Sequence, residues 1–121
     1  MNRVLDTNAA LYFLGGRLAG PLPAGDLFVS VISEIELLSY PSLTSSEEKV
    51  VREFLSNIRI VDLADEVKSR TIQLRRRHGL KIPDAIIAAT ALVLRAELLT
   101  NDTRLARVPQ LRCRAMALKH G

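Results

Sequence analysis

Four acidic residues that are far apart in the chain stand where predicted strands end or predicted helices lie. Asp6 directly follows a short apolar segment and Asp102 lies just past another, whereas Glu36 and Asp84 belong to helical patterns. In a parallel α/β sheet, the strand ends and the starts of the following helices share one edge, where ligands bind. We therefore expect these four carboxylates to converge at that edge of the sheet.

Each of these acids also fits a purely structural role. Asp6 suits the cap of the next helix, and Asp84 in a first turn meets the helix dipole favourably. Asp102 suits a turn, and Glu36 stands three residues after Ser33, which is the spacing of a capping box. For any single acid the structural role is the better explanation. Four crowded carboxylates, however, repel one another, and partial burial of each is costly unless it is compensated.

The group that offsets the repulsion between the four carboxylates predicts the chemistry of the site. No Lys or Arg is adjacent in sequence to any of the four acids, which leaves open a partner elsewhere in the fold. A divalent cation is the simplest compensation, and ligands that are all oxygen favour Mg²⁺ or Mn²⁺ over zinc. Such an ion activates water and stabilises charge on a scissile phosphate. A single cysteine and two histidines exclude a cysteine-rich zinc site and disfavour a multi-histidine site.

The charge of the remaining residues points to a polyanionic partner. The chain has 17 Lys and Arg against 13 Asp and Glu, so that 9 acidic residues remain when the four candidate ligands are set aside. No acid follows Asp102, although five basic residues do. Fixed positive charge attracts nucleic acid, and a solvated helix face is the alternative explanation. Aromatic residues make up only 4% of the chain, which argues against a base-stacking platform.

Length and composition predict one globular domain over residues 1–121. Hydrophobic residues make up 48% and charged residues 25% of the chain, the balance of an ordinary soluble protein. No apolar stretch approaches the roughly 18 to 20 residues that span a bilayer. The first residues also lack the apolar region of a signal peptide. We therefore expect a cytoplasmic protein.

Short apolar segments alternate with helical patterns along the whole chain. The predicted strands are residues 2–5, 27–30, 58–61 and 97–100, with a weak fifth strand near 112–117. The predicted helices are residues 7–14, 33–40, a helix opened by the capping-box spacing of 45–48, 64–78, and 84–95, which is apolar almost all round. This alternation predicts a three-layer α/β/α sandwich with a mostly parallel central sheet.

The acidic positions and their neighbours resemble the PIN-domain ribonucleases of the VapC toxin type. The resemblance rests on residues 4–8 (VLDTN), 32–37 (ISEIEL), 83–91 (PDAIIAATA) and 99–102 (LTND). The first of these segments is weakly specific and the third is fairly specific, and their common order spans nearly the whole chain. One departure from the family pattern is Leu105, where the family often has an aromatic residue.

The resemblance implies a divalent-metal-dependent endoribonuclease, with Mg²⁺ or Mn²⁺ as the cofactor and RNA as the substrate. It further implies an antitoxin partner that blocks the active site, and a homodimer. Glu36 is preferred over Glu34, because it falls at the family's position before two leucines. The implied metal-binding and catalytic residues are Asp6, Glu36, Asp84 and Asp102, supported by Thr7, Asn8, Thr100 and Asn101.

Other classes of protein remain open at this stage. A phospho-accepting receiver domain would need adjacent acids after the first strand and a lysine after a late strand, and neither is present. A catalytically silent RNA-binding or regulatory module could keep the same fold, although intact acids argue against it. A nuclease that works without an antitoxin would have the same acids. A structural protein whose acids only cap helices would show no response to Mg²⁺ or Mn²⁺.

Overall fold

Strands and helices alternate along residues 1–120, which are the residues that the computed structural model describes. The strands are β1 (Asn2–Leu5), β2 (Asp26–Ser30), β3 (Arg59–Val61), β4 (Glu97–Leu99) and β5 (Cys113–Arg114). The helices are α1 (Thr7–Leu14), α2 (Val31–Leu38), α3 (Ser45–Ser56), α4 (Asp65–His78), α5 (Ile82–Val93) and α6 (Thr103–Ala106). No helix within residues 1–120 combines the length and apolar character needed to cross a membrane.

The strands form one parallel sheet in the order β3-β2-β1-β4-β5. β1 is the central strand, and its last residue, Leu5, pairs with Val29 of β2 and Leu99 of β4. The carboxyl ends of these three strands are therefore level with one another. As a result, Asp6 and Thr100, which follow β1 and β4, emerge side by side at one edge of the sheet.

The strands carry apolar side chains on both faces, because successive residues point to opposite sides of a sheet. Val4 and Leu98 pack in one core with α4 and α5, whereas Leu5 and Leu99 pack in another core with α1, α2 and α3. All four side chains are fully buried. Two cores on either side of a parallel sheet confirm the predicted three-layer α/β/α sandwich.

Helix α5 is the central helix that the sequence predicts. Every residue from Ala85 to Ala91 is buried. Pro83 lies in the first turn, where the missing N–H is harmless. The four alanines in this stretch are short enough for the helix to pack closely on the sheet while a further helix, α4, covers it. This packing fixes the position of the first turn of α5, which contains Asp84, relative to the sheet.

Helix α2 begins earlier than predicted. The sequence pattern places its start at Ser33, with Ser33 and Glu36 as a capping box, but the helix begins at Val31 and Ser30 is its cap. The Ser30 hydroxyl accepts a hydrogen bond from the Ile32 N–H at 3.1 Å. The chain therefore passes from β2 directly into the helix, and the predicted capping box is wrong. Ser33 is instead a fully buried residue within the first turn.

Helix α3 is opened by the residue before the predicted one. Thr44 accepts from the Glu47 N–H at 3.1 Å, and the Glu47 carboxylate accepts from the Thr44 N–H at 3.0 Å. The capping box therefore pairs Thr44 with Glu47, not Ser45 with Glu48. Both pairs have the correct spacing, and the pair that forms is the one whose first residue has the extended backbone of a cap.

The buried faces of two helices differ in detail from the apolar patterns. In α4, Thr71 is buried beside Val67 and Leu74, whereas Ile72 is 52% exposed. In α3, Val51 is buried while Val50 remains exposed. In both helices, the rotation of the helix about its axis decides which of two adjacent residues faces the core.

The segment after β4 also differs from the expected turn and strand. Thr103–Ala106 forms α6, a short helix capped by Asp102, which the sequence pattern does not predict. β5 spans only Cys113 and Arg114, rather than a strand near 112–117. It lies at the edge of the sheet and pairs only with β4.

The two cores predict a clear contrast between buried and exposed apolar side chains. Replacement of fully buried Leu98 by Ala should lower the free energy of unfolding by about 2–5 kcal/mol, because it leaves a cavity. Replacement of exposed Ile72 by Ala should change it by about 0.5 kcal/mol or less. Urea denaturation of both variants measures this contrast, and equal losses would contradict the described packing.

Candidate active site

The structure brings the side chains of Asp6, Glu36, Asp84 and Asp102 to one small cavity. Asp6 caps α1 directly after the central strand β1, and Asp102 caps α6 three residues after the end of the neighbouring strand β4. Glu36 comes from α2 and Asp84 from the first turn of α5. This acidic cavity has a volume of about 130 Å³, and its other lining residues are Thr7, Asn8, Tyr40 and Ile87.

Asp6 is the most deeply buried of the four acids, with 6% of its surface exposed. One carboxylate oxygen, Oδ1, accepts from the Ala9 N–H at 2.7 Å, and the other accepts from the Thr100 hydroxyl. Burial raises the pKa of Asp6 above its usual value, and the charges of Asp102 and Asp84 raise it further, against the lowering effect of the two hydrogen bonds. An ionised Asp6 is therefore costly unless positive charge lies nearby.

Glu36 is held by residues of two helices. Its Oε1 accepts from the Thr7 hydroxyl at 2.6 Å, and the Thr7 hydroxyl lies 2.9 Å from that of Ser33. The start of α1 therefore positions the acid of α2. Glu34, two residues earlier in the same helix, is not among the residues that line the acidic cavity.

Asp84 and Asp102 share a basic partner, Arg104, which the sequence analysis did not single out. The Nη2 atom of Arg104 lies 3.0 Å from Oδ2 of Asp102 and 3.6 Å from Oδ2 of Asp84. Arg104 also donates its backbone N–H to Oδ1 of Asp102 at 2.8 Å. Its position two residues after a helix cap is the sequence signal that could have identified it.

The pKa values of these two acids move in opposite directions. The hydrogen bond from the Arg104 side chain lowers the pKa of Asp102, whose carboxylate also caps α6. Burial raises the pKa of Asp84, the charge of Asp102 raises it further, and Arg104 offsets part of this effect. Arg104 thus neutralises Asp102 well and Asp84 incompletely.

The residues expected to support the acids occupy different positions. Thr100 is buried, donates to Asp6 and accepts from the Asp102 N–H at 3.0 Å, so that it links two acids. Asn8 lines the acidic cavity. The Asn101 side chain instead bonds the backbone N–H and carbonyl of Met116 at 2.6 and 3.0 Å. Asn101 therefore anchors the segment after β5, not a carboxylate of the cavity.

The donor set of the acidic cavity fits a hard divalent cation. All four acids offer oxygen, which Mg²⁺ and Mn²⁺ prefer. Within residues 1–120, no three acidic, histidine or cysteine side chains are close enough together to be a ready metal cluster. The four acids therefore line one cavity without forming a closed cluster of ligands in the described residues.

A basic cavity of about 270 Å³ adjoins the acidic one. It is lined in part by His78, Lys81, Arg104 and Arg107, and it shares Asp84 with the acidic cavity. His78 is the last residue of α4 and Lys81 lies in the loop before α5, whereas Arg104 and Arg107 come from the region of α6. The site therefore combines a negative centre with a positive flank.

The surroundings of Cys113 disfavour a nucleophilic role for its thiol at neutral pH. Burial raises the pKa of its thiol to about 11, and the charges of Asp6 and Glu97 raise it in the same direction. The thiol is therefore protonated at neutral pH, and only the thiolate is strongly nucleophilic.

Solved structures of similar fold include chains of toxin–antitoxin complexes. A chain of a toxin–antitoxin complex from Klebsiella pneumoniae is 27% identical, with a TM-score of 0.76 over 90% of this chain and 94% of that one. A chain of VapBC2 from Rickettsia felis, solved with a DNA fragment from the promoter, is 24% identical, with a TM-score of 0.76 over 96% and 99%. A chain of DNA-bound VapBC from Salmonella typhimurium is 20% identical, with a TM-score of 0.79 over 95% and 98%.

The two latter similarities, both below 25% identity, concern the fold. No curated protein sequence matches the chain. The sequence model of the PIN domain matches residues 3–111, which include all four acids and almost the whole fold. This chain belongs to the PIN-domain family.

Proposed function

We propose that this protein is a divalent-metal-dependent endoribonuclease that hydrolyses RNA phosphodiester bonds, and that it is the toxin of a toxin–antitoxin pair. The observation that carries the proposal is the meeting of four acids from four separate segments in one cavity. Their burial and mutual repulsion disfavour a merely structural role, because helix caps need no such crowding. Membership of the PIN-domain family supports the same conclusion.

In this proposal Asp6, Glu36, Asp84 and Asp102 hold Mg²⁺ or Mn²⁺ and are the catalytic residues. The raised pKa values of Asp6 and Asp84 support this role, because their cause is burial together with negative charge that a cation would offset. When bound, the cation supplies a lowered pKa for a coordinated water and neutralises charge on the scissile phosphate.

The side chains around the acids orient them before RNA arrives. The Thr100 hydroxyl binds one oxygen of Asp6 and the Ala9 N–H binds the other, whereas the Thr7 hydroxyl binds Glu36. Such supporting hydrogen bonds commonly change metal affinity or activity by about 10–100-fold when they are removed. Asn8, which lines the same cavity, is assigned a supporting role in this proposal as well.

RNA binds, in this proposal, through the positive flank of the site. His78, Lys81 and Arg107 line the basic cavity next to Asp84. Contacts between basic side chains and phosphates release counterions, so that affinity for RNA should fall as the salt concentration rises. In this proposal, the acidic cavity cleaves the RNA and the basic cavity binds it.

A protein partner is proposed for the apolar side of the molecule. Phe13 of α1 and Val50 of α3 are exposed, and both line an apolar groove of about 460 Å³ with Phe54. Exposed apolar surface of this kind is typical of protein interfaces. We propose a cognate antitoxin, a homodimer of the toxin and a cytoplasmic location. Co-purification with the product of a small upstream reading frame would test the antitoxin.

Activity should depend on Glu36 and not on its neighbour Glu34. Glu36→Gln should reduce cleavage of total RNA in Mn²⁺ by about 100-fold or more, because the variant loses the negative charge of a proposed ligand of the cation. Glu34→Gln is the matched control, since it removes the same charge from the same helix, and it should cleave at the parent rate. Equal rates for Glu36→Gln and the parent would contradict the assignment. RNA binding without cleavage by the parent would favour a catalytically silent module.

Divalent metal should stabilise the folded protein through the same acids. Mn²⁺ at about 100 times its dissociation constant should add about 2.7 kcal/mol to the free energy of unfolding, because it binds the folded state alone. Asp84→Asn should lose most of this gain, whereas the exposed control Asp26→Asn should retain it. Thermal denaturation in Mn²⁺ and in EDTA measures the effect, and an unchanged melting temperature for the parent would argue against a metal site.

Without metal, Asp6 should make the protein less stable as the pH rises. Its pKa in the folded state lies above the ordinary value of 3.8, so that the folded state binds this proton more tightly than the unfolded state. Stability is therefore lost as the pH rises from about 3.8 through the folded-state pKa. In EDTA, Asp6→Asn should be more stable than the parent at pH 7, and this advantage should shrink towards pH 4.

The exposed acid Asp62 provides the control for this pH series. Asp62→Asn should follow the parent at every pH, because its side chain lies at the surface. Urea denaturation from pH 4 to pH 7 compares the three proteins. A stability of Asp6→Asn that stays below that of the parent at pH 7 would show that burial of this carboxylate is compensated within the chain.

A further inference from the structure

Arg104 is a basic side chain that contacts two of the candidate metal ligands, Asp84 and Asp102. Its guanidinium contacts Oδ2 of both Asp84 and Asp102, and its Nε lies 3.3 Å from Oδ1 of Asp102. Its backbone N–H also binds Oδ1 of Asp102. Both oxygens of Asp102 are therefore already engaged by the same arginine.

These contacts use the electron pairs and the negative charge that a divalent cation would need. A carboxylate cannot give its full charge to a guanidinium and to a metal ion at once, and two positive charges this close repel each other. The side chain of Arg104 is also 59% exposed, so that it can leave the carboxylates for solvent without disturbing a core. An exchange between arginine and cation therefore needs no rearrangement of the fold.

We propose that Arg104 competes with the divalent cation for Asp84 and Asp102, and thereby sets the affinity of the acidic cavity for that cation. This inference rests on the proposed function, because it takes the acidic cavity as the metal site. Arg104 acts here as a positioning residue: it holds the two carboxylates in place while the cation is absent and gives them up when the cation binds.

Arg104 lies between the two cavities, so that it can move from the carboxylates to the basic cavity when the cation binds. Arg104 lines the basic cavity together with Lys81 and Arg107, and an RNA phosphate is the anion that this flank is proposed to bind. A guanidinium released from the carboxylates remains on that flank and can bind a phosphate. Because coupling between two binding sites is reciprocal, cation binding should strengthen the hold of Arg104 on RNA.

The test measures cation binding without RNA. Isothermal titration with Mn²⁺ compares the parent with Arg104→Gln and with the control Arg107→Gln. Arg107 lines the same basic cavity, but among the described residues it makes no ion pair with either carboxylate. Arg104→Gln should bind Mn²⁺ about three- to tenfold more tightly, the effect expected when two partly exposed ion pairs are lost. Arg107→Gln should bind it within about twofold of the parent, because its charge is farther from the acids.

A second measurement guards against misfolding of the variant. In EDTA, Arg104→Gln should melt cooperatively and slightly below the parent, because Asp84 and Asp102 lose their partner. In Mn²⁺ its melting temperature should rise by more than that of the parent. A larger metal-dependent rise in the variant supports the competition independently of the titration.

The outcomes separate this inference from the proposed function. Equal or weaker Mn²⁺ binding by Arg104→Gln, while the parent binds Mn²⁺ and cleaves RNA, overturns the competition and leaves the nuclease intact. Equal tightening in Arg104→Gln and Arg107→Gln also overturns it, because the effect would be one of general charge. Absence of Mn²⁺ binding in all three proteins overturns both the inference and the metal-dependent function.

Discussion

Repulsion between carboxylates that the fold holds together is the interaction on which the site depends. The parallel register of β1 and β4 brings Asp6 and Asp102 out at the same edge of the sheet, and the first turn of α5 adds Asp84 beside them. Asp6 directly follows the central strand and Asp84 lies in the first turn of a buried helix, so that the fold limits how far these two carboxylates can separate. Protons, a basic side chain or a cation can each offset this charge.

The structure shows a counterpart of the first two alternatives, and a divalent cation is the proposed third. The pKa of Asp6 is raised because burial favours its protonated form. Arg104 is the basic side chain, and it reaches Asp102 better than Asp84. Arg104 forms ion pairs with two of the four acids, and the pKa of Asp84 stays raised in spite of that contact. The remaining negative charge of the cavity is what the proposed divalent cation would offset.

The supporting hydrogen bonds show how the fold limits the cost of this arrangement. Thr100 binds Asp6 and the backbone of Asp102, and Thr7 joins Glu36 to Ser33. These hydroxyls satisfy carboxylate oxygens without neutralising them, because a neutral donor stabilises the charge that it faces.

The sequence by itself determined the order of the elements, the two-sided burial of the strands and the central position of α5. These features follow from local periodicity, since alternating or continuous apolar residues have only a few ways to be buried. The same argument brought Asp6, Glu36, Asp84 and Asp102 to one edge, because parallel strands end together. Their catalytic role stays a prediction, whereas the fold and the family are confirmed.

Only the tertiary structure decided which side chains meet at that edge. It placed Arg104 on two acids, joined Thr7 to Ser33, turned Asn101 towards Met116 and moved the cap of α2 to Ser30. Each of these contacts depends on where a helix starts or how it rotates, to within one or two residues. Local patterns leave that choice open, because several residues of the right type compete for each position and packing between distant segments selects one of them.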